Sequence, residues 1–299
     1  MNFPLLKKNY LFKKPYVFFE ASEEYSIHSN IKCQEVDHFI KVILPNRHKV
    51  DVYYDLHVIQ EGVKSLINQE HYRLFLDLEF SLVSPGRHTV SEIVQYGMVL
   101  EDSEGNMIFE DASLVRPMLN SSLNKMTLAF LSREQSDFDN ACSYIEFYQL
   151  LEKIIEEYNP KIYAWGKNDS LSLERSFKLN HLHPLDIKNR YINLMQIIKN
   201  YYNYKQEMGL FNTYKEMTNG ENEEQIHDAL EDAMIEREIF HLFKKEINKE
   251  VELEAHLDHR LAMSYYVLGL VNSKKTVING FDCINTSFPE FIELMNKLF

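Results

Sequence analysis

The chain of 299 residues is 45% apolar and 13% aromatic, enough to fill one full core with elaborations or two smaller ones. Its net charge of -13 argues against holding long nucleic-acid duplexes by bulk electrostatics, which needs a surplus of Lys and Arg, yet leaves room for an enzyme acting on nucleic acid. Cys33, Cys142 and Cys283 are widely spaced and form no CxxC pair, so neither a disulfide framework nor a thiolate-bound metal is expected.

The longest apolar runs, such as 265–271, fall far short of the roughly 20 residues that span a bilayer. Lys7, Lys8, Lys13 and Lys14 interrupt any apolar core of a signal peptide. A cytoplasmic location without a membrane partner is therefore expected.

Residues 1–70 read as an N-terminal extension. The aromatics Tyr10, Phe12, Tyr16, Phe18 and Phe19 lie among polar turns and are expected to pack in a core, with Lys13 and Lys14 too few for a nucleic-acid groove. Leu56, Ile59, Val63 and Leu66 recur at helical spacing near 55–69. From Arg73 the pattern sharpens into a strand at 73–80, a turn at Ser84-Pro85-Gly86 and a strand at 92–100. Asp102 to Asn106 then reads as a hairpin turn into a third strand at 107–115.

Beyond Pro117 the periodicity becomes helical, most clearly over 140–158, where Ile145, Tyr148, Leu151, Ile154 and Ile155 form a stripe that Pro160 ends. A short buried strand at 161–165 precedes Gly166 and a helix carrying Asp169, Leu173 and Phe177. Helices follow at 191–203 and 228–247. A strand meander followed by helix, strand and helices predicts an α/β fold, a mixed sheet with helices packed on it. Residues 248–299 read as a C-terminal helical extension with a loop near 278–285.

Chemistry concentrates at three places. In Leu74-Phe75-Leu76-Asp77-Leu78-Glu79-Phe80, strand alternation puts Asp77 and Glu79 on one face and Leu76, Leu78 and Phe80 on the other. Two like charges on a buried strand are costly unless they ligate a cation or line a wet cleft. Alone, Asp-x-Glu also fits a solvated edge strand. Asp169 falls just past a short strand, at the carboxyl end where open α/β sheets place their sites, although a carboxylate in a first helical turn is favoured by the dipole anyway.

The third place is His227-Asp228-Ala229-Leu230-Glu231-Asp232. Asp228 with Glu231 has the form of a capping box, so a helix starts there with His227 on the approach loop. Five residues along a regular helix turn through about 140°, so His227 can share a site with Asp232 only from that loop.

In this order, Asp77-Leu78-Glu79, Asp169 and His227-x4-Asp232 resemble the three sequence blocks of the DEDDh 3′-to-5′ exonucleases, over roughly residues 71–247. Glu92-Ile93-Val94-Gln95-Tyr96-Gly97 looks like that family's second-strand motif and Val115-Arg116-Pro117 like its third-strand ending. Ser132 to Ala141 looks like the segment before its first long helix. The likeness is greatest to the branch of histone-mRNA exonucleases and bacterial sporulation-inhibitor-type exonucleases. Residues 1–70 and 248–299 resemble no family.

The resemblance implies a ribonuclease-H-like mixed sheet of five strands flanked by helices over 71–247. It implies two Mg²⁺ or Mn²⁺ ions held by Asp77, Glu79, Asp169 and Asp232, with His227 as general base. The substrate would be the 3′ end of single-stranded nucleic acid, RNA or short oligonucleotides favoured, and the products nucleoside 5′-monophosphates. Phe80 and Ser81 stand where many members carry a small residue and Thr, so Phe80, Ser81 and Asn168 are candidate substrate contacts, with a core role favoured for Phe80 and for Trp165. Lys167 and Arg116 are candidates for phosphate. Two further readings remain: a regulatory nucleic-acid- or protein-binding module on the same fold, and an endonuclease of the broader ribonuclease-H-like group, which leaves the His227 motif unexplained.

Overall fold

A computed structural model describes residues 32–36, 39–43, 52–54, 56–82, 90–119, 122–204, 206–218, 220, 228–271 and 276–298. The aromatics at 10–19, the Ser84–Gly86 turn and His227 lie outside the described residues. Strands β1 (Lys32–Val36), β2 (Phe39–Ile43) and β3 (Val52–Tyr54) form an antiparallel meander. Helix α1 (Leu56–Ile67) follows at the predicted place. It buries Ile59, Val63 and Ile67 in the core of the main sheet, so this part of the N-terminal segment is built into the larger unit.

The central sheet begins with β4 (Arg73–Phe80), β5 (Ile93–Glu101) and β6 (Met107–Arg116), an antiparallel meander within a residue or two of its predicted bounds. The turn between β5 and β6 closes as the sequence suggests. The Asp102 Oδ1 accepts from the backbone N–H of Glu104 and Asn106, both at 2.9 Å, and Gly105 takes a φ of 95° that a side chain would oppose.

Next come α2 (Lys125–Phe130), β7 (Cys142–Ser143), α3 (Tyr144–Tyr158), β8 (Lys161–Ala164), α4 (Asn168–Leu179), β9 (Tyr191–Asn193), α5 (Leu194–Tyr202), α6 (Leu210–Thr218) and α7 (Ala229–Ile247). The order across the sheet is β7-β6-β5-β4-β8-β9, with β8 and β9 parallel to β4.

The sheet thus has six strands rather than five. The sixth, β7, is a two-residue pairing beside the end of β6, where Val115 and Arg116 face Cys142 and Ser143. The predicted helix at 191–203 is in fact β9 followed by α5. Three residues carry too little periodicity to be distinguished from a helix start, and pairing with β8 decides their form.

Alternation along β4 divides the core. Leu74, Leu76 and Leu78 face one buried cluster with Phe147 and Leu151 of α3 and Leu173 and Phe177 of α4. Phe75 faces the other, with Ile197 of α5 and Ile239, Phe240 and Phe243 of α7. Helices therefore cover both faces, and α7 lies on the face to which Asp77 and Glu79 point.

Residues 248–299 are not purely helical. Strand β10 (Val251–Glu254) pairs in parallel with β11 (Thr276–Asn279), and α8 (His259–Val271) crosses between them. A 3-10 turn at Phe281–Thr286 and α9 (Phe291–Leu298) complete the unit. Ala255, Ala262, Ile284 and Phe291 form a separate small core.

Candidate functional site

The strands β4 and β8 pair only as far as Phe75 and Tyr163. Past that point they part, and the carboxyl end of β4 becomes one wall of a cleft at the position where parallel strands feed their helices. Asp77 and Glu79 stand on this wall on the α7 side. Asp232, in the first turn of α7 and 5% exposed, meets them: one carboxylate oxygen from each of the three lies within 4.8 Å of the others.

Two contacts bring α7 this close. Gly97, opposite Asp77 on β5, has no side chain, and a Cβ there would sit 2.1 Å from the Ala229 carbonyl oxygen. Gln95, opposite Glu79, donates its amide to Asp228 Oδ2 at 2.9 Å. Asp228 in turn caps α7, accepting from the N–H of Leu230 at 3.1 Å and of Glu231 at 3.4 Å. The second-strand residues thus set the depth and the start of the helix that delivers Asp232.

Asp169 approaches from the other side of the split. It lies in the first turn of α4, 4% exposed, and accepts from the Leu78 backbone, which β8 leaves unpaired there. Tyr191 of β9 donates to the Gly166 carbonyl at 2.9 Å and lies 3.4 Å from Asp169 Oδ2.

The electrostatics are those of crowded acid groups. Burial first, then Asp169, Asp232, Glu79 and Asp228, push Asp77 well above the carboxylate range. Burial, Asp232 and Asp169 push Glu79 up to about 7. Burial likewise raises Asp169 to about 7, against the hydrogen bonds it accepts. One further carboxylate was not singled out from the sequence. Glu236, one turn beyond Asp232 on α7, is fully buried and raised by burial, Asp77 and Asp169. Its signal was available as an acidic residue four places after Asp232 in a helix whose neighbours Ala233, Ile239 and Phe240 are apolar.

The remaining predicted residues fall as follows. Phe80 packs against the Leu76–Leu78 side of the core. Ser81 is 4% exposed, its hydroxyl accepting from the Glu92 N–H at 2.9 Å. Asn168 and Lys167 are exposed at the start of α4, and Arg116 is exposed at the end of β6. Trp165 packs on the α7 side of the core and donates its indole N–H to the Met208 carbonyl at 2.8 Å. His227 immediately precedes the cap residue Asp228 in sequence.

Several solved structures share the fold. The nuclease domain of 3′hExo, a DEDDh family member, bound to rAMP, aligns with a TM-score of 0.53 at 17% identity, covering 59% of this chain and 93% of that one. A 3′-exonuclease solved in 3′-end-specific recognition of a histone mRNA stem-loop aligns at 0.51 with 18% identity, covering 59% of this chain and 64% of that one. The likeness is one of fold, a ribonuclease-H-like mixed sheet with helices on both faces.

A different likeness covers the carboxyl end. The family model of EPSP synthase (3-phosphoshikimate 1-carboxyvinyltransferase) matches residues 229–295. The enzyme of that name from Koribacter versatilis (strain Ellin345) is 49% identical over 47 residues, and that from Rhizobium johnstonii (strain DSM 114642 / LMG 32736 / 3841) 50% identical over 46. These stretches cover 16% and 15% of this chain but only 11% and 10% of those enzymes, so the chain spans about a tenth of their length. Residues 248–299, expected to resemble no family, thus do carry a likeness, as far as residue 295. Of the four predicted ligands, only Asp232 falls within the matched residues.

Proposed function

We propose that the chain is a DEDDh-type 3′-to-5′ exonuclease that hydrolyses single-stranded nucleic acid, RNA or short oligonucleotides, to nucleoside 5′-monophosphates. The observation that carries this reading is the meeting of Asp77, Glu79 and Asp232 within 4.8 Å at the carboxyl end of β4, with Asp169 facing them across the split. Residues 71–247, with α1 built in, would form the nuclease unit, and 248–299 a separate one.

The donor set fits divalent cations. It consists of carboxylate oxygens without a thiolate, the hard ligands that Mg²⁺ and Mn²⁺ prefer. Packing like charges this closely raises their pKa values, and positive charge would relieve that cost. Asp77, Glu79, Asp169 and Asp232 would hold two such ions. When bound, a pair of this kind lowers the pKa of a water and neutralises charge on the attacking and leaving oxygens of a phosphodiester.

The chain's own residues supply the rest. His227, which precedes the cap residue of α7 in sequence, takes a proton from the attacking water as general base, a role suited to an imidazole. The α4 start, with exposed Lys167 and Asn168, faces the approaching strand and is open to contact with phosphate or sugar. Phe80, half-buried against the core, and buried Ser81 favour support of the β4 end over direct contact with a base.

The test uses single-stranded RNA labelled at its 5′ end, its DNA counterpart and circular single strands, each with Mn²⁺. Stepwise shortening of linear strands that EDTA and Asp77→Ala abolish, with circles left intact, supports the proposal. Cleaved circles would make the protein an endonuclease, and unshortened linear strands would refute nuclease activity.

A further inference from the structure

We propose that Glu236 is a positioning residue of the acidic centre, tying helix α7, which carries Asp232, to the end of strand β8, from which the helix of Asp169 departs. The inference deepens the nuclease reading above and rests on it.

Glu236 is 0% exposed, and its Oε1 accepts from the Trp165 backbone N–H at 2.7 Å. Trp165 is the first residue after β8, and Asp169 follows four residues later in the first turn of α4. The far side of Trp165 is fixed as well, because its indole N–H bonds the Met208 carbonyl ahead of α6. The Glu236 bond therefore joins two anchored elements, and each of them delivers one of the carboxylates that must meet.

The second oxygen, Oε2, is buried and makes no hydrogen bond among the described residues. Asp77, Asp169 and Asp232 all lie near enough to act electrostatically on this side chain. Simple packing at this helix position would be met by Leu or Met at lower cost, since a buried acid bears a desolvation penalty that an apolar side chain avoids. What an apolar residue cannot supply is an acceptor for the Trp165 N–H. The clamp does not depend on a proton at Glu236, because the accepting oxygen survives in glutamine.

The test is titration of Mn²⁺ alone into the full chain, followed by calorimetry well below the melting temperature, for wild type, Glu236→Gln and Glu236→Ala. Loss of a residue that orients ligands typically costs about 10- to 100-fold in metal affinity, and that is expected for Glu236→Ala, while Glu236→Gln should stay within roughly threefold of wild type. Glu236→Leu, which fills the volume without an acceptor, should weaken binding like Glu236→Ala and replaces it if the smaller variant does not fold. Wild-type affinity in Glu236→Ala or Glu236→Leu, even with a lowered melting temperature, would reduce Glu236 to a structural role and overturn the proposal. A loss in Glu236→Gln equal to that in Glu236→Ala would overturn it too. Wild-type protein that takes up no Mn²⁺ would refute the metal centre itself, a result distinct from failure of the clamp alone.

Discussion

The two ends of one strand face treat buried carboxylates in opposite ways. At the start of β4, fully buried Arg73 pairs with fully buried Glu101, which also receives Arg237 Nε and His241 Nε2, each at 2.7 Å. Arg73 further donates to the Asp102 and Ser103 carbonyls at 2.7 and 3.1 Å. Burial alone would raise Glu101, but hydrogen bonds from His241 and Arg73 outweigh it and hold the carboxyl below its ordinary value. About 13 Å along the same face, at the usual rise per residue, Asp77 and Glu79 meet Asp232 and Asp169, and Glu79, Asp169 and Asp232 each raise a neighbouring acid. The first end uses charge to lock the fold. The second keeps like charges together against the fold's interest, as the proposed cation site requires.

The comparison breaks most decisively at the acidic end. Asp77→Asn should reduce the rate of 3′-end shortening by roughly a thousandfold or more, since the proposal makes Asp77 a ligand that orients the reacting groups. It should leave the melting temperature in EDTA unchanged or higher, because one repelling charge is gone. A nuclease rate within tenfold of wild type would contradict the assignment.

At the locked end the expected signs reverse. Glu101→Gln leaves Arg73 buried without its full counter-charge and should cost about 3–5 kcal/mol in urea unfolding, the usual penalty for breaking a buried pair. Its folded fraction at low temperature should keep Mn²⁺ affinity. Gly97→Ala tests the contact that joins sheet and helix. The added methyl meets the Ala229 backbone, so a loss of about 1–3 kcal/mol is expected. Unlike Glu101→Gln, it should also weaken Mn²⁺, because α7 must lift Asp232 away. The smallest effect is at the cap: Asp228→Ala should cost about 1 kcal/mol.

The acidic end was legible in the sequence because it is written locally. Asp77 and Glu79 stand two apart in an apolar run, and Asp232 follows a recognisable helix start. The locked end was not legible, because Arg73, Glu101, Arg237 and His241 are far apart in sequence and meet only through the β4–β5 register and the placement of α7. Gly97 illustrates the middle case. It belongs to a visible motif, yet its reason appears only when the Ala229 backbone is found against it. The meander and α7 were readable to within a residue or two, whereas β7 and β9, at two and three residues, exist only through pairing with neighbours. In the C-terminal unit the apolar pattern of α8 reads as helix, but β10 and β11 are four residues each and pair across that helix.

The most direct test of the acidic centre is the melting temperature of the intact protein in EDTA and in saturating Mn²⁺, at pH 5.5 and pH 8. Glu79 and Asp169 titrate at about 7 when folded, against 4.5 and 3.8 ordinarily. The folded state therefore keeps protons that the unfolded chain has released, and their stabilising effect, complete below about pH 4, is lost as the pH rises through about 7. His71, lowered to about 4 by burial and Arg73, shifts stability in the opposite sense over part of this range, but it affects both curves and cancels in their difference. Bound cations compete with those protons, so the gap between the Mn²⁺ and EDTA curves should be small at pH 5.5, wide at pH 8 and nearly absent in Asp77→Asn. A gap of equal size at both pH values, or one that persists in Asp77→Asn, would contradict the assignment of these carboxylates to a metal centre.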